Sequence, residues 1–168
     1  MLYFFDCEFM QCGSGMIDLI SIGIVSEDGR ELYLESNEFD PAKANVFVRT
    51  NVLPKLGPVE ERLSRKEIKE RIFQLIGTDS PTWMAYYSAY DFVCLAELFG
   101  SFDQLPKGYP KLCWDLKCEA LKLGVDDLPH QATKGEHNSL ADAKWLKEAY
   151  FYLKDKHGLT IPEQKIPA

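Results

Sequence analysis

Two carboxylates, Asp6 and Glu8, are separated by one residue and follow an apolar run over residues 2–5. The run predicts a buried β-strand, in which successive side chains point to opposite faces. Asp6 and Glu8 would therefore project from the same face, where two like charges repel each other. Phe5 and Cys7 fill the alternate positions, so neither face of the strand reads as solvent-exposed. Such a strand requires a cation between its carboxylates.

Two aspartates further along the chain, Asp91 and Asp142, predict the rest of an acidic site. Each lies three residues after a serine, so each also fits a helix capping box and could simply satisfy amide donors. Asp142, however, precedes Trp145 and Leu146 by three and four residues on a predicted apolar stripe, where an unpaired carboxylate would be costly to desolvate. The four acids together predict a site for Mg²⁺ or Mn²⁺, cations that prefer oxygen ligands.

His137 stands five residues before Asp142, at the predicted entrance of the last helix. A loop histidine is often solvent-exposed or a local hydrogen-bonding group, and His130 and His157 are interpreted that way. The position of His137 beside a predicted metal ligand instead favours a general base over the metal site. Zinc ligation by His137 is less favoured, because the other ligands are all hard oxygens.

The 168 residues, of which 46% are hydrophobic, predict a single globular domain over residues 1–168. The net charge of -7 argues against a broad basic groove for duplex nucleic acid, but permits an enzyme that holds a few nucleotides. Bound metal ions would supply the local positive charge that the side chains lack. The odd number of cysteines, five, favours reduced thiols in a cytoplasmic protein.

Hydrophobic patterning predicts an α/β fold that opens with three antiparallel strands, at residues 2–8, 17–26 and 30–36. Short strands at 82–86 and 112–114 then alternate with helices at 43–53, 64–76, 89–99 and 116–123 and one beginning near Asn138. This order predicts a mixed sheet flanked by helices, with active groups at strand ends and helix starts.

Three motifs resemble those of the DEDDh branch of the DnaQ-like 3′-5′ exonucleases: Phe5-Asp6-Cys7-Glu8-Phe9, Ser88-Ala89-Tyr90-Asp91 and His137-x4-Asp142. The resemblance implies a ribonuclease H-like fold and release of nucleoside 5′-monophosphates. It implies that the four acids ligate two Mg²⁺ ions, for which Mn²⁺ can substitute, and that His137 is the general base. Cys7 and Phe9 depart from the Asp-x-Glu-Thr form of the wider superfamily, so its sugar contacts do not carry over.

Three further stretches, residues 20–30, 38–41 and 48–56, resemble the polyadenylate-specific exoribonuclease AS family. That narrower resemblance implies a homodimer acting on the 3′ ends of adenosine-rich, single-stranded RNA. Candidate contacts to this substrate are a wedge of Phe9 and Met10, stacking surfaces on Tyr90 or Trp114, and phosphate contacts from Arg49 or Lys134. Aromatic side chains are more often core residues, and basic ones are more often solvated.

The sequence leaves three rival functions open. An oligoribonuclease-like or tRNA-trimming enzyme and a DNA proofreading exonuclease would share the same five residues of the site. A catalytically inactive binding module is the third alternative, but such a module does not need all four acids and the histidine.

Overall fold

The computed structural model of the protein describes residues 1–11, 17–131 and 135–162, so the predicted phosphate contact Lys134 lies outside the described residues. A five-stranded sheet of order β3-β2-β1-β4-β5 forms its centre. The strands are β1 (Leu2–Gln11), β2 (Ile17–Ser26), β3 (Glu31–Glu35), β4 (Thr82–Ala85) and β5 (Cys113–Asp115). Strands β1, β2 and β3 pair antiparallel, whereas β4 pairs parallel with β1 and with β5. The predicted mixed sheet is confirmed.

Four α-helices cover the two faces of the sheet: α1 (Arg65–Ile76), α2 (Ala89–Leu98), α3 (Leu116–Lys122) and α4 (Ser139–His157). Helices α1 and α2 pack on one face, where Ile72 and Leu95 join the core around Phe5. Helices α3 and α4 pack on the other face, where Leu116 and Leu146 join the core around Phe4. Within the described ranges, no helix is both long and apolar enough to cross a bilayer.

The short helix predicted over residues 43–53 is present only in part, because residues 44 and 45 are not helical and the helical residues continue to Lys55. An irregular helical segment, residues 46–55, instead passes from an α turn through the π-helical Val48–Val52 to the 3-10 turn Leu53–Lys55. Pro54 has no amide hydrogen and disfavours the α conformation at the residue before it, so a regular helix cannot continue here. Val48 and Val52 are buried against Met10 and anchor the segment to the core.

Helix α4 approaches the sheet closely at Gly23 of β2. A Cβ atom at Gly23 would lie 2.2–2.3 Å from backbone atoms of Ser139 and Leu140, so only glycine leaves room for the first turn of the helix. The hydroxyl oxygens of Ser21 and Ser139 are 3.1 Å apart and join the same two elements. This contact places the start of α4 over β1 and β2, on the face that carries the two acids of β1.

Candidate active site

Three carboxylates converge where α4 crosses β1. Oxygens of Asp6, Glu8 and Asp142 all lie within 4.8 Å of one another. Asp6 and Glu8 project from the same face of β1, opposite the small residues Gly23 and Ser21 of β2. Asp142 comes from the first turn of α4, which the close approach to Gly23 brings down to the sheet. We refer to Asp6, Glu8 and Asp142 as the carboxylate cluster.

Asp91 reaches the same region from α2 but is bound to the backbone of β1. Its Oδ1 accepts a hydrogen bond of 2.8 Å from the amide of Cys7. The pairing of β1 with β4 ends at Phe4, so the Cys7 amide lies beyond the paired residues and Asp91 supplies its hydrogen-bond acceptor. The N-cap residue Ser88 makes no side-chain cap hydrogen bond, so the predicted alternative that Asp91 belongs to a capping box is wrong.

Asp142 is likewise not part of a capping box. The N-cap of α4 is Asn138, whose side-chain oxygen accepts a hydrogen bond of 3.1 Å from the amide of Ala141. Ser139 is instead buried against β2. The Asp142 carboxylate accepts a hydrogen bond from the side-chain amide of Gln131 and faces the carboxylate cluster.

All four acids have raised pKa values because burial disfavours their charged forms. Burial raises the pKa of Asp6 well above its usual range, and the charges of Asp91 and Asp142 raise it further. Burial raises the pKa of Glu8 to about 8, although the Lys55 ammonium lowers it. Burial also raises the pKa of Asp91 to about 7 and that of Asp142 above its usual value. A bound cation would therefore stabilise the charged forms of these four acids.

The donor set fits a divalent cation. The ion pairs between described residues involve none of the four acids. Crowded carboxylate oxygens that form no ion pair are ligands that Mg²⁺ and Mn²⁺ prefer. We therefore take Asp6, Glu8 and Asp142 as residues that could hold such an ion, with Asp91 beside them.

His137 lies in the turn just before α4 and lines a cleft of about 250 Å³ together with Asp6 and Asp142. Its backbone adopts a left-handed φ of 60°, which is uncommon for a residue with a Cβ atom. The ring of Phe47 meets the imidazole edge-on, with the ring centroids 4.9 Å apart. Both the imidazole and the backbone amide of His137 lower the pKa of Asp142, so the histidine is close to this carboxylate.

Several residues around the cleft escaped the sequence analysis. Gln131 binds Asp142, the Lys55 ammonium donates to the carbonyl oxygen of Glu136, and the rings of Tyr86 and Trp145 form an aromatic wall of the cleft. Tyr86, Gln131 and Trp145 lie within six residues of a motif, but their spacing does not show that they line the cleft. Lys55 is distant in sequence from all three motifs. For Lys55 the only available signal was its place in the stretch of residues 48–56.

The predicted substrate contacts Phe9 and Tyr90 come together directly after the acids of β1. Their rings stack with centroids 5.6 Å apart and planes inclined by 23°. A bulge between Glu8 and Phe9 breaks the regular pairing of β1 with β2 at this point. Tyr90 is 49% exposed, so the pair offers an aromatic surface to solvent.

The other predicted contacts lie elsewhere. Met10 is 1% exposed, because its side chain packs in the core under the irregular helical segment, and this burial argues against the predicted contact with a base. Trp114 is half-buried in β5 and packs beside the core around Phe4. Arg49 is exposed in the irregular helical segment.

Comparison with curated proteins finds 3′-5′ exoribonucleases of Mycobacterium tuberculosis, from strains CDC 1551 and H37Rv. Each is 42% identical to this chain in an alignment of 149 positions that covers 86% of this chain and 88% of the relative. No protein-family model matches the chain.

Two solved structures share the fold of this chain. S. pombe Pop2p in its Mg²⁺- and Mn²⁺-bound form has a TM-score of 0.62 at 13% identity, over 94% of this chain and 84% of Pop2p. E. coli Exonuclease I in complex with an oligonucleotide has a TM-score of 0.62 at 13% identity, over 94% of this chain and 40% of that enzyme. These similarities confirm the ribonuclease H-like fold. The identity to the mycobacterial enzymes over most of the chain shows that this protein belongs to the 3′-5′ exoribonuclease family.

Proposed function

We propose that the protein is a divalent-metal-dependent exoribonuclease that removes nucleoside 5′-monophosphates from the 3′ ends of single-stranded RNA and prefers adenosine-rich tails. The observation that carries this proposal is the carboxylate cluster, whose three oxygens lie within 4.8 Å of one another beside His137 and form no ion pair with a described residue. The family of the chain supports the reaction type, and the predicted homodimer is part of the proposal.

The acids have the role of holding the metal. Asp6, Glu8 and Asp142 would bind two Mg²⁺ or Mn²⁺ ions, and Asp91 would contribute directly or through water. When bound, such ions lower the pKa of an attacking water and stabilise the leaving 3′ oxygen. Asp91 also fixes β1 through its hydrogen bond to the Cys7 amide, which holds the acids on either side of Cys7 in place.

His137 has the role of general base. His137 lines the same cleft as Asp6 and Asp142. The neutral ring would accept the proton of the attacking water as the bond to phosphorus forms. An imidazole is suited to this step near neutral pH because its ordinary pKa is about 6.5.

The stacked rings of Phe9 and Tyr90 would hold the terminal base. Stacking on an aromatic surface contributes about 1–3 kcal/mol per base and tolerates every base. A purine has the larger stacking face, which favours adenosine over pyrimidines. The exposed Arg49 would contact a phosphate of the same strand. The net charge of -7 is consistent with few phosphate contacts in total.

The test compares 5′-labelled strands of equal length made of A, U, C or G ribonucleotides and of deoxyadenosine, each with Mg²⁺ or with EDTA. The proposal expects a ladder shortened from the 3′ end, 5′-mononucleotide as product, no product in EDTA and the fastest trimming of oligoadenylate. Asp6→Asn is the control for contaminating nuclease and should be inactive. Equal trimming of all four RNAs would remove the adenosine preference, and faster trimming of DNA would remove the assignment to RNA.

A further inference from the structure

The irregular helical segment contacts the turn that carries His137 at two points. Near its start, the ring of Phe47 meets the His137 imidazole edge-on, with centroids 4.9 Å apart and planes at 85°. At its end, the Lys55 ammonium donates a hydrogen bond to the carbonyl oxygen of Glu136, the residue next to His137. Two side chains from one segment thus fix the ring and the backbone of the same turn.

The segment that supplies these contacts is itself firmly anchored. Val48 and Val52 are 4% and 1% exposed and pack into the core with Met10 and Phe39. Phe47 precedes Val48 directly, so the backbone that carries its ring is held by this anchor. The structure therefore offers a rigid support on one side of the turn.

The turn benefits from such a support. His137 adopts a left-handed backbone conformation, which is unfavourable for a residue with a Cβ atom unless its surroundings hold it there. The amide of Asn138 donates to the carbonyl of Gly135 and closes the turn. The contact from Phe47 is made to the imidazole itself.

A purely structural role does not explain the contacts that Phe47 and Lys55 make with the His137 turn. Phe47 is 50% exposed, and its ring contact with a described residue is the one to His137, so its removal leaves no large cavity in the core. The Lys55 ammonium is close enough to the carboxylate cluster to act on both Glu8 and Asp142 electrostatically. Both side chains therefore stand at the site.

We infer that Phe47 and Lys55 are positioning residues, which hold the His137 imidazole in place above the carboxylate cluster. The inference rests on the proposed function, in which His137 is the general base. Because proton transfer depends on geometry, a displacement of about 1 Å lowers the rate up to roughly a hundredfold. Loss of either contact should lower kcat, while the binding of RNA should change little.

The experiment measures kcat and KM on oligoadenylate for Phe47→Ala and Lys55→Met. Each should lower kcat by roughly ten- to a hundredfold and change KM less than about threefold. Phe47→Tyr and Lys55→Arg, which retain the ring and the cationic donor, should recover most of the lost rate. Matched controls are Phe102→Ala, another half-exposed ring with an edge-on partner, and Lys147→Met, whose ammonium donates to the carbonyls of Ser26 and Glu27. Both controls should keep the parent kcat.

A double-mutant comparison tests whether the two residues act through His137. In the His137→Asn background, adding Phe47→Ala or Lys55→Met should slow turnover no further, because the group that they position is already gone. A further drop equal to that in the parent background would overturn the inference. So would a parent-like kcat in both single variants.

A readout independent of activity separates this inference from the proposed function. The imidazole resonances of His137, identified by their loss in His137→Asn, should shift in Phe47→Ala and stay in place in Phe102→Ala. Unchanged resonances in Phe47→Ala would overturn the positioning role whatever the enzyme does. A shift in Phe47→Ala together with full activity of His137→Asn would instead support the contact and refute His137 as the base.

Discussion

Replacing Gly23 by alanine should disturb the site through the position of α4. The new Cβ would lie 2.2–2.3 Å from backbone atoms of Ser139 and Leu140, whereas ordinary contacts of a Cβ begin near 3.4 Å. The clashing atoms belong to backbone, so no side chain can rotate away, and the helix start must move outward by about 1 Å. Asp142 lies in the first turn of this helix and would move with it.

Two effects of Gly23→Ala follow. Overpacking of this kind typically costs 1–3 kcal/mol, so the free energy of unfolding should fall by about that amount. A displacement of about 1 Å at a catalytic group lowers the rate by roughly a hundredfold. Urea denaturation and kcat on oligoadenylate measure the two effects.

The matched control for Gly23→Ala is Gly57→Ala, where the Cβ would meet Glu35 Oε1 at an ordinary 3.6 Å. This control should remain within about 1 kcal/mol of the parent in stability and close to it in rate. A Gly23→Ala protein as stable and as active as Gly57→Ala would refute the claim that the close approach of α4 to β2 positions Asp142.

Three further predictions concern the residues of the site. His137→Asn should turn over about 10²- to 10⁴-fold more slowly with nearly unchanged KM and Mg²⁺ affinity, as kinetics and calorimetry can measure; loss of Mg²⁺ binding would make His137 a ligand instead. The folded-state pKa values of Glu8 and Asp91 are raised to about 8 and about 7, so the folded protein binds these two protons more tightly than the unfolded chain does. The stability that this proton binding contributes is present at low pH and is lost as the pH rises through these values. Urea denaturation in EDTA should therefore show a lower free energy of unfolding at about pH 8.5 than at about pH 5, and Mg²⁺ should reduce this difference, whereas the opposite slope would contradict the raised pKa values. Tyr90→Ala should raise KM for oligoadenylate by roughly tenfold through lost stacking, while Tyr152→Ala, whose ring contacts His157 at the far end of α4, should leave KM unchanged.

The sequence predicted the parts of this structure that depend on local pattern. Alternation around Asp6 and Glu8 predicted that both acids share one face of a strand. The position of Asp142 on the apolar stripe of α4 predicted that its carboxylate faces inward, which the structure confirms. Each of these predictions uses residues a few positions apart.

Prediction from the sequence failed where contacts join segments that are distant along the chain. Asn138 and Ser139 could each cap the start of α4. Only the packing of the folded chain decides that Ser139 is buried against Ser21 while Asn138 caps the helix. The burial of Met10 depends on the irregular helical segment, which covers it from more than thirty positions away. Lys55 and Gln131 approach the acids only in the folded chain, and nothing in their local spacing marks them.

The metal site is tested most directly by locating Mn²⁺ through anomalous scattering in crystals of the parent protein and of Asp6→Asn. We expect two peaks about 3.5–4 Å apart at the carboxylate cluster of the parent. We also expect Asp6→Asn to lose at least one peak together with RNA trimming. A parent protein that trims RNA 3′ ends with no metal at this cluster would refute the metal-dependent mechanism.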